Sequence, residues 1–282
     1  MIDRILRRGT KGDDVKELQQ ALGILVDGYF GPVTEAAVRT LQTKTIGLIV
    51  DGVVGPRTVE ALRLPVPIKP DPKPRPVPTY ATLSQVDAHF EKGTAAWYQA
   101  AYLIMDFDAG MRSRVEADAR RVLSHKPMYV ELERLRGIPW AMTGLIHSME
   151  CNNNPRGVLH NGELIVGTGR KTTLVPRGRG PFATWLEAAL DAVDSEALWR
   201  VPAWTVGYIL KQCEAFNGLG YLRYHHNENS PYLWACTTIN DGTGKYVSDG
   251  VWSETANANT QVGAAAILRQ LELLGEVDLI YA

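Results

Sequence analysis

The sequence predicts a mainly α protein in two parts: a small three-helix unit, then a larger, mostly helical α+β unit with a small β insertion. Three observations carry this. A 24-residue repeat with turn and helix-start signals fills the first sixty residues. A proline run follows. Beyond it, apolar residues recur at helical spacing, broken by one Gly- and Thr-rich stretch.

The proline run is PVPIKPDPKPRPVP (65–78), in which seven of fourteen residues are proline. Each proline fixes φ and removes an amide donor, so a semi-rigid polyproline spacer is expected there. It divides the chain into residues 1–64, a linker over 65–80, and residues 81–282.

In the first part, VDGYFGPVTEAA (26–37) and VDGVVGPRTVEA (50–61) agree at seven of twelve positions. Asp-Gly is a turn signal, and Gly-Pro ahead of Thr34 and Thr58 starts a helix with proline in its first turn. Ala37, Val38 and Leu41 continue one helix. Val15, Leu18, Leu22 and Leu25 mark an earlier one, capped by Asp13 or Asp14. In the second part, helices are expected over 84–105 (Val86, Phe90, Trp97, Ala101, Met105), 111–124 (Val115, Ala119, Val122), 203–216 and 257–274. A hairpin or irregular β element is expected over 156–180.

Composition excludes several function classes. The formal net charge is -1, with 30 basic and 31 acidic residues, so nothing points to nucleic acid. Cys151, Cys213 and Cys236 lack CxxC spacing and are expected to be free thiols. No HExxH spacing occurs, and no metal or cofactor is expected. No run approaches a membrane span, the opening MIDRILRRGTKGDD lacks the apolar core of a secretory leader, and a monomer is expected.

The segment IPWAMTGLIHSMECNNNPRG (138–157) carries the chemistry. Pro139 suits a first helical turn, and Met142, Leu145, Ile146 and Met149 follow at i, i+3, i+4 and i+7. Glu150 comes at the end, before an Asn run and Pro155 that stop the helix. Burial and the negative end of the helix dipole both raise a carboxyl pKa there, and a protonated glutamic acid can protonate a glycosidic oxygen. A glutamate at a helix end is otherwise an ordinary solvated charge; the apolar face leading into it sets this one apart. His147, one turn earlier, either bonds to the site or packs.

The repeat resembles the peptidoglycan-binding domain family. Leu6, Gly9, Gly12, Val15, Leu18, Gln19, Leu22, Asp27, Gly28, Gly31, Thr34, Ala37, Val38, Leu41, Gln42, Asp51, Gly52, Gly55 and Thr58 fall where that family places them. The resemblance implies a wall-binding domain over residues 1–64, with Asp27, Tyr29, Phe30 and Asp51 put forward for wall contact. The later segment resembles the lysozyme and lytic transglycosylase superfamily, in which a catalytic Glu ends a buried helix before a β region. CEAFNGLGYLRYH (213–225) is similar to that superfamily's AYNAG-PG segment at Asn217, Gly218 and Gly220, with Phe216 in place of its tyrosine. The GLMQ segment is absent.

The resemblance implies a lysozyme-like domain over 81–282 acting on bacterial peptidoglycan, with Glu150 as the acid. Glu163 is the first candidate for a second carboxylate and Asp249 the next. His147, Asn217, Tyr221, Tyr232, Tyr246 and Asp249 are expected to meet substrate. The organisation looks like a modular phage endolysin, made in the host cytoplasm and acting on the wall after release. A lytic transglycosylase, or a wall-binding or virion protein without catalysis, fits the same residues.

Overall fold

A computed structural model describes residues 4–45, 48–63, 75–225, 228–248 and 250–281. The chain divides into two units, Met1–Asp71 and Pro72–Ala282. Most of the expected linker, and Asp249 and His226, lie outside the described residues.

The first unit holds α1 (Asp13–Ala21), α2 (Pro32–Lys44) and α3 (Pro56–Arg63). Proline stands at the start of α2, where an amide would go unpaired in any case. Leu6, Val15, Leu18, Phe30, Val38 and Val54 form the core. Leu6 and Val54 exchange both backbone hydrogen bonds, at 3.1 and 2.8 Å, and so close the unit on itself.

Each helix-to-turn step is fastened by a glutamine. The Gln19 side-chain oxygen accepts from the amides of Asp27 and Gly28. Its nitrogen donates to Asp27 Oδ1 at 2.6 Å and to the Tyr29 carbonyl at 3.0 Å. Gln42 repeats the arrangement: it accepts from the Gly52 amide and donates to Asp51 Oδ1 and the Val53 carbonyl. The sequence repeat is thus a repeated hydrogen-bonding device around two Asp-Gly turns, where Gly28 and Gly52 each take a φ of 73°.

The second unit begins with α4 (Leu83–His89) and α5 (Ala95–Ile104). The single helix expected over 84–105 is broken between them. Phe90 turns extended, Gly93 takes a φ of 90°, and Thr94 caps α5 by accepting from the Trp97 amide. Then come α6 (Arg112–Ser124), α7 (Lys126–Arg136), α8 (Trp140–Cys151), α9 (Trp185–Ser195) and α10 (Val206–Phe216). They are followed by α11 (Gly220–Tyr224), α12 (Pro231–Trp234), β1 (Thr243–Ser248), β2 (Val251–Asn257) and α13 (Ala264–Leu273). The helices α7, α9, α11 and α12 and the strands β1 and β2 were not anticipated, and α13 starts later than expected because residues to Asn257 belong to β2.

The core surrounds α8 and α13. Ala141 to His147 of α8 and Ala264 to Leu271 of α13 are buried without interruption. α8 packs on α6, α7, α10 and α13. Gly144 makes the α6 and α7 approach possible, since a Cβ there would come within 2.7 Å of Val122 and 3.1 Å of Tyr129. Among the described residues, no helix is long and apolar enough to cross a membrane.

The β element lies elsewhere than expected. Residues 156–180 form a loop with one isolated bridge, Gly157 to Leu164, over a small cluster of Val158, Ile165, Val166, Phe182 and Ala188. Side chains accept from several of its amides: Glu163 from Thr173 and Leu174, and Thr172 Oγ1 from Arg179. The two-stranded antiparallel sheet is β1 and β2, with Tyr246 opposite Trp252. Two β-branched and aromatic runs flanking an Asp-Gly pair are a hairpin signal.

Candidate active site

Glu150 stands in the last turn of α8, and the end of that helix is tightly fastened. Asn152 and Asn153 take φ of 55° and 57°, a left-handed conformation that asparagine tolerates better than most residues. Their amides donate to the carbonyls of Ser148 and His147, both at 3.0 Å. The Asn153 amide group reaches Tyr129 Oη at 3.0 Å and the Gly144 carbonyl at 3.2 Å. His147 completes the set: the Tyr129 hydroxyl meets its Nδ1 at 2.9 Å, and its Nε2 donates to the Asn154 carbonyl at 2.8 Å. Burial pushes the His147 imidazole down to about 4, so it is neutral at pH 7. It is fully buried and positions the helix end, and it does not line the cleft.

The Glu150 carboxyl is half-buried, and among the described residues its one hydrogen bond comes from the Tyr232 hydroxyl, to Oε1 at 2.9 Å. Burial pushes its pKa up to about 7, against the Tyr232 bond, which favours the ionised form. The carboxyl faces a cleft of about 590 Å³. Arg114, Asp118 and Arg121 of α6 form one wall, Ser148 of α8 and Asn152 just after it stand beside Glu150, and Thr260 and Gln261 form the other wall. Arg114 donates to the carbonyls of Asn259 and Thr260 at 2.7 and 2.6 Å, tying the two walls together. Arg121 pairs with Asp118 at 2.8 Å and donates to Asn152 Oδ1. Such a site holds a carboxyl that keeps its proton up to near neutral pH, beside a polar groove open to solvent, which suits protonation of a leaving-group oxygen.

Glu163 sits in the loop that follows. Its carboxylate accepts from Thr173 Oγ1 at 2.7 Å, from the amides of Thr173 and Leu174, and from Asn161. The Thr173 hydroxyl and these further donors hold its carboxyl below the usual range. It is not among the residues lining the cleft. The same loop is fastened by Asp191, which takes Arg179 in two bonds and His160 Nε2 at 2.8 Å.

Asn217 is exposed at the end of α10 and donates to Ser230 Oγ. Tyr221 and Tyr246 belong to an aromatic cluster at the hairpin with His225 and Trp252, the last two stacked with centroids 3.7 Å apart. None of these lines the Glu150 cleft. A separate cavity of about 450 Å³, lined in part by Arg75, Asp106, Arg112 and Arg269, holds none of the expected site residues. Among the described residues, no group of three or more His, Cys, Asp or Glu side chains is placed to hold a metal, and the three cysteines are free.

Sequence reasoning missed Asp118, Arg114 and Arg121, which lie on the polar face of the amphipathic 111–124 segment. It also missed Glu214 of α10, a second buried carboxyl that burial raises to about 8. Nothing in sequence spacing sets those charges apart from ordinary helix surface.

In the first unit, Asp27 and Asp51 turn their carboxylates into their own turns, accepting from the amides of Tyr29 and Val53 at 2.8 Å. Phe30 corrects the expectation of a wall contact there: it is fully buried, a core residue with no surface to offer. Tyr29 is 42% exposed.

Residues 11–62 match the family model described as "Putative peptidoglycan binding domain". No curated protein and no solved structure matches the chain. The matched span takes in both Asp-Gly turns and their glutamine fasteners; a peptidoglycan-binding domain at the N-terminus supports a cell-wall-binding module and fits peptidoglycan as its partner.

Proposed function

We propose that this protein is a peptidoglycan hydrolase of the muramidase type, cutting between N-acetylmuramic acid and N-acetylglucosamine. The observation that carries the reading is Glu150: a carboxyl at the end of a fully packed helix, lining a cleft, with its pKa pushed up to about 7. Glu150 gives its proton to the bridging oxygen as the glycosidic bond breaks. Water then completes hydrolysis at the anomeric carbon and a proton returns to Glu150. The wall-binding unit raises the local concentration of the second unit at its substrate.

The test is Glu150→Gln on purified cell walls. Loss of soluble fragments with wall retention unchanged supports the reading. Fragment release equal to the parent overturns it, and a parent that releases none leaves a wall-binding protein without catalysis.

A second reading draws on Glu163. With that carboxylate taken up by its own loop, Glu150 acts alone as acid and then base, the chemistry of a lytic transglycosylase. Its fragments end in a 1,6-anhydro sugar and are lighter by one water, which mass spectrometry distinguishes.

A further inference from the structure

The two copies of the repeat separate what the fold consumes from what it leaves over. Both use Gln, Asp and Gly in the same fastening, and Thr34 and Thr58 both reach back to the turn carbonyl. Phe30 and Val54 are alike fully buried. Of the five positions that differ, one places an aromatic side chain at the surface: after Asp-Gly the first copy has Tyr29 where the second has Val53. Tyr29 and Phe30 are the only aromatic residues between 1 and 63, and only Tyr29 reaches the surface.

The Tyr29 ring is held in place. Its backbone is bridged to Lys11. Gly31 lies against its edge, where a Cβ would come within 3.2 Å of Cδ1 and Cε1. The Lys11 ammonium stands 5.2 Å from the ring centroid. Among the described residues no carboxylate pairs with Lys11, whereas Arg4, Arg8, Lys16 and Arg39 pair with Asp14, Glu35, Asp13 and Glu35. The first turn therefore presents an aromatic face and an unneutralised cation on a fixed backbone.

We propose that Tyr29 and Lys11 are the wall-contact point of this unit, and that they take the carboxylate-bearing stem peptide of peptidoglycan. The ammonium meets a free carboxylate, and the ring supports the apolar side-chain and backbone surface next to it. The glycan backbone is uncharged where its lactyl groups are amide-linked, so it gives Lys11 no partner. The proposal rests on the wall-binding half of the proposed function and is independent of the glycan-cutting half.

The test is sedimentation of the full chain with purified walls on ice, every arm carrying Glu150→Gln. Intact walls are compared with stripped walls: glycan strands freed of stem peptides by an amidase, fixed to beads so that they sediment, with the lactyl carboxylates so released capped as methylamides. Tyr29→Ala is expected to weaken binding to intact walls about tenfold. Lys11→Ala is expected to weaken it about threefold and to flatten its salt dependence. Val53→Thr, at the matching place in the second copy, stays within about twofold, and stripped walls bind at least about tenfold more weakly than intact ones. Circular dichroism shows whether each variant keeps its fold. Tyr29→Ala and Lys11→Ala both binding like the parent would overturn the contact point. Stripped walls retaining the parent's binding would overturn the stem-peptide assignment. A parent that does not sediment with intact walls would contradict the wall-binding reading itself.

Discussion

Asp27 in the first unit and Glu150 in the second are both carboxylates beside a chain reversal, and their surroundings treat them oppositely. Asp27 receives the Tyr29 amide and the Gln19 side chain, and these donors hold its carboxyl below the usual range. Glu150 stands in the last turn of a helix, receives among the described residues the Tyr232 hydroxyl alone, and is pushed up to about 7 by burial. The number of donors a carboxylate is given separates one that fastens a turn from one left able to transfer a proton. Glu163, with donors from Asn161, Thr173 and Leu174, falls on the Asp27 side of that division.

The largest effect that sharpens this contrast is at Glu150. Glu150→Gln is expected to cut fragment release by about 10²–10⁴ or more, measured on purified walls. Glu163→Gln should lower the melting temperature while fragment release, assayed well below that temperature, stays within about tenfold. A loss matching that of Glu150→Gln would instead make Glu163 the second catalytic carboxylate and break the division drawn above.

Gln19→Ala removes the fastener of the first turn and leaves the part-buried amide of Asp27 and the buried amide of Gly28 without acceptors. It should cost the first unit about 2 kcal/mol or more. In a unit with so small a core, wall retention should fall with it, while hydrolysis of soluble glycan oligomers by the second unit is unchanged.

Glu150 also bears on stability. A carboxyl raised in the folded state stabilises below its unfolded pKa, and that contribution is lost as pH rises through about 7. Glu150→Gln removes the cost of burying the charge. The variant should therefore be more stable than the parent by about 2 kcal/mol at pH 8, and about equal to it at pH 4. Equal stability at both pH values would mean that Glu150 is solvated.

Much of this was legible in the sequence, and the reasons differ by region. The first unit could be read closely because its repeat is built from local turn and helix-start chemistry. The helix leading to Glu150 could be read because its apolar spacing and its Asn-Pro stop are local too. The break at Gly93 was not legible, because apolar residues on both sides keep helical spacing. The hairpin at 243–257 was passed over in favour of 156–180, where side chains such as Glu163 occupy the backbone donors that a strand would have paired. The partners of Glu150 come from α6, α12 and the segment before α13, far apart in the chain. Tyr232 could be named as a site residue, but its bond to the acid could not.

The central claim, that Glu150 works as a protonated acid, is tested most directly by the pH dependence of fragment release from purified walls. The parent should be active below neutrality and lose activity as pH rises through about 7. Tyr232→Phe, which removes the hydrogen bond favouring the ionised form, should move that falling limb to higher pH. A parent profile flat from about pH 5 to 9, or a limb unmoved by Tyr232→Phe, would contradict the account.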